Sequence, residues 1–526
     1  MTSLWACGSN SLGALGLGDL EDRAEFTQIT FPHREARCLQ VATKGQHALA
    51  LVQDPLLPHS THPALRVYTW GLEPPLMNTP DKHPDSIPNL GAHESKRTAP
   101  YEVDMSGNRI RHVTCGWDVS FVIDETGTLW SWDATTASTP SGQTIARQPL
   151  GRSCVCMSRG LAACECRRVP RPIYILDRTE VLEVSAGWRH AVCIVRVPSR
   201  GGVYLYGWGC NRNNQLGDFL SCDASEVAAL SSPRDRERGQ RSDGRTAPDF
   251  FVSPVELRTM TNVEEARLRD RVWIPTRVSC GWRHTLVLFE SRDGDDRSTL
   301  IYGYGRRSHA DWGMFGYQPN ASSWSTGPVA LFDASDTALV AHGDQAEPGA
   351  GTGEQETKSI HPSEWIISDI SSGNFHAAAL LTHRLLGSTR AMTWGRCDLG
   401  QVGRPVARKK SDSIALPAFV PNLSPSRVVC GSDHVLALQR QSNGVSEVWS
   451  WGWNEHGNLG YTSQEETKQI HSRRVFLACP SGVTVHEGDE GDSQKDTPKP
   501  KAVQGRVQDV VAGGAVSFVL VSEERR

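Results

Sequence analysis

The stretch Val113–Asp133, VTCGWDVSFVIDETGTLWSWD, decides how the chain is read. Val113 to Ile123 is rich in Val, Ile, Phe and Trp, and Asp124 to Gly127 (DETG) supplies turn chemistry. Leu129 to Trp132 then alternates, with Leu129 and Ser131 on one face and Trp130 and Trp132 on the other. Two β-prone runs joined by a short Gly-containing loop read as a β-hairpin. A lone hairpin cannot bury its apolar face and is marginal in water. The stretch therefore needs copies of itself.

The copies are present. The first half, apolar-x-small-Gly-x-x-His or a near variant, occurs seven times, starting at Val41, Val113, Val184, Val278, Ile370, Val428 and Val510. The second half, an aromatic strand running into Gly, also occurs seven times, as in VYTWG, LWSWD and VWSWGWNEHGNLG. In four copies the glycine pair keeps one spacing: Gly8/Gly16, Gly209/Gly217, Gly395/Gly403 and Gly452/Gly460. The chain opens on a second half, Leu4 to Gly16, and closes on a first half, Val510 to Leu520. Two unpaired halves at opposite ends complete one hairpin if the ends meet. The expected fold is all-β, a seven-bladed β-propeller closed by the N-terminal strand pairing with the C-terminal half-blade.

At 526 residues one compact core would be too large, whereas blades pack mainly on their neighbours. The chain is read as a single propeller over 1–526 with long insertions. The polar, Gly- or Pro-rich segments 231–249, 342–358 and 487–501 have too few apolar residues to fold alone and are expected to be disordered. The formal net charge is -4, with no long basic run, so no direct nucleic-acid contact is expected. No apolar run is long enough to span a bilayer, and no membrane role is expected. A first repeat strand at Leu4 leaves no room for a secretory presequence, so the chain is placed in the cytoplasm and nucleus. Cys115, Cys280 and Cys430 share a repeat position with Ala186, Ser372 and Ala512, so only smallness is required there and the thiols read as reduced packing residues.

The recurring His47, His190, His284, His376 and His434 are spread around a ring rather than converging. A metal site needs convergence; each is expected instead to hydrogen-bond its turn to its own blade. CVCMSRGLAACEC brings Cys154, Cys156, Cys164 and Cys166 together as two C-x-C pairs, whereas structural zinc sites use C-x₂₋₄-C. No metal or other cofactor and no catalytic residue is assigned; no Ser/His/Asp order, paired carboxylates or dinucleotide fingerprint stands out. The residues that vary beside the glycines carry more. Trp117-Asp118, Trp188-Arg189 and Trp282-Arg283 follow equivalent glycines and should share one face. Large aromatics beside charges on rigid turns are the material of binding hot spots; packing between blades is the competing use. Trp453, Glu455 and His456 in WGWNEHGN extend the candidate partner-binding set.

The G-x-x-H and W-G-x-N-x-x-G-x-L-G patterns resemble the regulator-of-chromosome-condensation repeat, a seven-bladed propeller family. The match is specific at Gly8–Gly16, Gly187–His190, Gly209–Gly217 and Gly452–Gly460, and departs at Lys44 (where the repeat has Gly), at Asp133 and in GYGRRSHADWG. Within the family, the GSN strand at Gly8, the CGWD…IDETGTLW hairpin from Cys115 and the WGWNEHGN loop resemble the fungal alpha-tubulin suppressor branch. CGWD is also similar to the secretion-regulating exchange-factor branch. The first resemblance implies a non-enzymatic partner of a small zinc-binding electron-carrier protein. That pair supports diphthamide synthesis on elongation factor two and Elongator-dependent modification of tRNA wobble uridines, with Elongator as a further partner. The alternative the family implies is guanine-nucleotide exchange on a small GTPase. The founding member's basic chromatin-binding tail is not expected here, nor is a ubiquitin-ligase domain after Leu520.

Overall fold

The computed structural model describes residues 2–33, 36–45, 47–54, 64–72, 96–117, 119–133, 170–173, 175, 178–217, 250–257, 272–293, 296–307, 323–324, 327–328, 364–406, 414–462, 468–480 and 500–522. Segments 231–249 and 342–358 lie outside these residues, as does 487–501 except Pro500 and Lys501; Lys501 opens the strand Lys501–Gln504.

Seven sheets form. The first strands of successive blades are Arg37–Lys44, Ile110–Cys115, Glu180–Ala186, Ile274–Cys280, Trp365–Ser372, Arg427–Cys430 and Arg506–Ala512. Each touches the next, and the seventh touches the first, so the ring closes. Closure has the expected register. Thr2–Gly8 pairs antiparallel with Val516–Ser522, setting Leu4 opposite Leu520 and Cys7 opposite Ser517. The seventh blade therefore takes two strands from each end of the chain, in the order Arg23–Ile29, Thr2–Gly8, Val516–Ser522, Arg506–Ala512. The protein is an all-β seven-bladed propeller.

The core lies between blades. Leu4, Val516 and Phe518 of the seventh blade form one buried cluster with Ala48, Tyr68 and Trp70 of the first. Phe121 of the second blade shares another with Trp208 of the third and Val287 of the fourth. Trp70, Trp208, Trp394 and Trp451 of the third strands are fully buried. Truncating a ring of this kind to Ala costs about 3–5 kcal/mol. The loops after the third strands follow one plan. The side-chain oxygen of Asn10, Asn211 and Asn454 accepts the N–H of Leu15, Leu216 and Leu459, at 2.9, 3.0 and 2.9 Å. Gly13, Gly400 and Gly457 take φ of 74°, 81° and 73°, which a Cβ would resist.

Candidate protein-binding face

The seven first strands bring their glycine turns to the axis. An added Cβ on Gly187 would meet the Gly281 carbonyl oxygen at 2.2 Å, and one on Gly281 would meet that of Gly373 at 2.6 Å. The same holds from Gly373 to Gly431 (2.6 Å), Gly431 to Gly513 (2.7 Å), Gly514 to Gly45 (2.1 Å) and Gly45 to Trp117 (2.3 Å). These glycines form a belt in which each blade rests on the next blade's backbone. Hydrogen bonds run along it. Trp117 N–H donates to Gly187 O (3.3 Å), Asn374 N–H to Ser432 O (2.9 Å) and Ser432 N–H to Gly513 O (2.8 Å).

On this belt the indoles meet. Trp282 lies with its ring centroid 5.2 Å from Trp117 and 4.9 Å from Trp188, and stacks on Phe375 at 5.9 Å. Blades two to five thus contribute one aromatic cluster of partly buried rings. Arg189 places its guanidinium 4.4 Å from the Trp188 ring centre, a cation–π contact. Arg283 is partly buried alongside. Both uses weighed for these residues bear on what is seen, since the rings pack on one another and keep partial exposure. Asp118 lies outside the described residues.

The second candidate group sits on the sixth blade. The Trp453 and His456 rings are 5.3 Å apart, and His456 Nδ1 is 2.9 Å from Asp22 Oδ2 of the seventh blade. Gly457 packs on Ala24 of the same neighbour, 2.4 Å from where a Cβ would stand. His456 and the loop around it therefore pin two blades, while Glu455 is exposed. No contact joins this group to the aromatic cluster among the described residues. Between the two groups, Asp433 accepts from Asn374 (3.3 Å) and Gln401 (3.2 Å) and lies 3.7 Å from Arg396. Burial raises its pKa.

The repeated histidines do something other than expected. All five are buried, and three of them bond to the next blade rather than their own. His47 meets Ser120 at 3.1 Å, His190 meets Thr285 at 2.9 Å and His434 meets Ser517 at 3.0 Å. Thr285 and Ser517 donate their own hydroxyl protons to Gln215 O (2.8 Å) and Asn458 O (2.6 Å). Their oxygens must then accept, which assigns the proton of His190 and His434 to Nε2. The small position is also more than small. Cys115, Cys280 and Cys430 donate Sγ–H to carbonyls of the preceding blade, Ala42 (3.4 Å), Ser185 (3.3 Å) and Ser371 (3.5 Å). Cys154, Cys156, Cys164 and Cys166 lie outside the described residues. Elsewhere, no cluster of three or more His, Cys, Asp or Glu could hold a metal among the described residues.

One feature escaped sequence reading. The residue preceding each repeat's first apolar position is Gln40, His112, Glu183, Arg277, Asp369, Arg427 or Asp509, and it faces the neighbouring blade. Gln40 meets His112 at 3.0 Å and mimics a strand on Val113, accepting its N–H at 3.1 Å and donating to its carbonyl at 3.2 Å. Arg277 reaches Glu183 (3.7 Å) and Asp369 (3.9 Å), and Arg427 reaches Asp369 (3.2 Å) and Asp509 (2.6 Å). Charges alternate around this part of the axis. Burial raises Glu183 to about 7 and also raises Asp509. The signal was a polar residue at one repeat position on an inner strand, masked because its identity changes in almost every blade.

No protein-family model matches the chain. The secretion-regulating guanine nucleotide exchange factor of Bos taurus is 24% identical over 499 residues, 91% of this chain and 81% of that protein. The protein of that name from Mus musculus is 25% identical over 507 residues, covering 92% and 82%. The ultraviolet-B receptor of Arabidopsis thaliana is 24% identical over 459 residues, covering 87% and 73%. Among solved structures, Prp20p of Saccharomyces cerevisiae, described with its binding properties to Gsp1p and histones, matches with a TM-score of 0.58 at 15% identity, over 100% of this chain and 92% of that one. Human WBSCR16 matches with a TM-score of 0.55 at 15% identity, with 100% of both chains covered. Identity that low speaks for the fold alone. The sequence relatives do not carry the narrower resemblance to the alpha-tubulin suppressor branch. With the RCC1 domain-containing protein 1 of Homo sapiens, 26% identical over 236 residues, they agree with the repeat resemblance, and the solved structures agree with the propeller fold.

Proposed function

We propose that this propeller is a non-catalytic binding protein that acts as a guanine-nucleotide exchange factor for a small GTPase. The observation that carries the reading is similarity over nine-tenths of the chain to two proteins named as exchange factors. Exchange needs no covalent chemistry from the protein. A propeller that binds the nucleotide-free GTPase more tightly than the loaded one must, by linkage, weaken nucleotide binding by the same factor. A rigid ring suits that task, because binding energy is not lost in ordering its own loops. The docking residues in this reading are Trp117, Asp118, Trp188, Arg189, Trp282 and Arg283, with Trp453, Glu455 and His456 as a second contact.

The test is release of a fluorescent nucleotide from a panel of small GTPases. Wild-type protein is expected to accelerate release from at least one. Arg189→Ala and Glu455→Ala should slow it while leaving the melting temperature unchanged. An anchor at the centre of an interface is worth about 2 kcal/mol, or roughly thirtyfold in affinity. If no GTPase responds and the protein instead co-purifies with the small zinc-binding protein of diphthamide synthesis, the exchange reading falls and the other implied function replaces it.

A further inference from the structure

The repeat is broken at Lys44, where other blades have glycine. Its side chain leaves the first blade, and Nζ donates to the carbonyl of Cys280 on the fourth. Among the described residues that carbonyl is its only hydrogen-bond partner, and no carboxylate pairs with it. The nearby sulfurs offer no counter-charge. Burial holds the thiols of Cys115, Cys280 and Cys430 above their ordinary range, that of Cys430 at about 12, so they stay neutral. Two residues beyond Cys280, the indole nitrogen of Trp282 is buried with no hydrogen-bond partner among the described residues. The carbonyl that Lys44 reaches and the Trp282 indole thus belong to one turn of the fourth blade, and the lysine brings a charge to it. An ammonium drawn partly out of water with no counter-charge is costly. Loss of solvent accordingly lowers the Lys44 pKa.

We propose that the axis below the tryptophan cluster is a binding site for a small oxyanion, held by Lys44 Nζ and the Trp282 indole N–H. Either a carboxylate or a phosphate provides the required chemistry: a delocalised negative charge and several acceptor oxygens. Lys44 is the determinant and Trp282 adds direction.

The experiment titrates purified full-length protein with sodium phosphate and, separately, sodium succinate at constant ionic strength, with sodium chloride as the control. Intrinsic tryptophan fluorescence is the signal, because the cluster contains Trp117, Trp188 and Trp282. A saturable change with phosphate alone identifies a phosphate site, and one with succinate alone a carboxylate site. In either case Lys44→Met should weaken the response by roughly tenfold or more. Lys44→Arg keeps the charge and should retain the response. Both variants should melt no lower than wild type. No saturable change with either salt, or an equal change in Lys44→Met, overturns the proposal. No partner protein enters the assay, so its outcome is independent of the exchange reading.

Discussion

The seams between blades fall into matched and mismatched kinds. At seams one–two, three–four and six–seven, a histidine meets a hydroxyl: His47 with Ser120, His190 with Thr285, His434 with Ser517. At seams two–three and seven–one the pair is wholly apolar. Val119 and Ala191 share one buried cluster, and Val516 and Ala48 share another. Polar with polar and apolar with apolar are both self-consistent. The fourth and fifth blades break the rule. His284 and His376 keep the imidazole, but the next blades present Ala377 and Val435. Among the described residues, both ring nitrogens of His376 and Nε2 of His284 are buried without a hydrogen-bond partner, while at the matched seams Nδ1 of His190 and of His434 is so too. A buried polar group left unpaired costs about 1–3 kcal/mol. The seam between the fifth and sixth blades, where His376 meets Val435, is therefore the least satisfied of the ring.

The largest effect should come from removing residues 1–10, which deletes the central strand Thr2–Gly8 of the seventh blade and opens the ring whatever the quality of the other seams. Cooperative thermal unfolding should be lost, and a truncated protein melting at the wild-type temperature would refute the closure. Acid comes next. Burial lowers His47 and His434 to about 4 and His190 and His376 to about 3. The unfolded chain then binds protons that the native ring refuses, so stability is full above about pH 6.5 and falls as the pH drops toward these values. Each such histidine should cost about 2 kcal/mol at pH 5. Glu183 opposes this. Raised to about 7, it takes its proton in the folded state and adds stability as the pH falls through 7 toward 4.5. Denaturant unfolding at pH 7.5 and pH 5 measures the balance, and His376→Val should lessen the acid loss.

Single substitutions separate the seams more finely. His434→Ala removes a satisfied hydrogen bond and leaves a cavity, for about 3 kcal/mol. His376→Ala makes a similar cavity but relieves an unpaired group and should cost clearly less; equal losses in urea melts would erase the distinction. The smallest effect is a gain. Val435→Thr, nearly isosteric, gives His376 the hydroxyl that its counterparts have, and Ala377→Ser does the same for His284. Each should add about 1 kcal/mol, and a double variant no more stable than wild type would show that the mismatch is not strained.

Closure was legible because it depends on order alone. A second half at Leu4 and a first half at Val510 can pair in one way, and Leu4 opposite Leu520 is the result. The turn glycines were legible in six blades because neighbouring atoms crowd the place of a Cβ there; the first blade has Lys44 instead. The partner of each histidine was not. Ser120 lies 73 residues beyond His47 and Thr285 95 beyond His190, and only the angle between blades selects them. The alternating charges from Glu183 to Asp509 were hidden for a related reason. Each residue fits its neighbours rather than a consensus. The strand bulges at 181/183, 275/277, 367/369 and 507/509, which set these residues against the next blade, leave no mark in the residue pattern. Trp117, Trp188 and Trp282 could be placed on one face, but not seen to touch.

The glycine belt has a consequence for how such a chain can grow. The turn between the first and second strands has the same length in the blades that carry the G-x-x-H spacing, whereas the long intervals 73–95, 134–169 and 218–249 fall between a third strand and a fourth, and 329–363 falls between two blades. The belt acts as a gauge. Along it, added Cβ atoms at Gly45, Gly187, Gly281, Gly373, Gly431 and Gly514 would each meet a neighbouring blade's carbonyl oxygen within 2.7 Å. Genes for such rings are free to lengthen at the rim, while the hub admits a side chain only where, as at Lys44, it leaves its own blade.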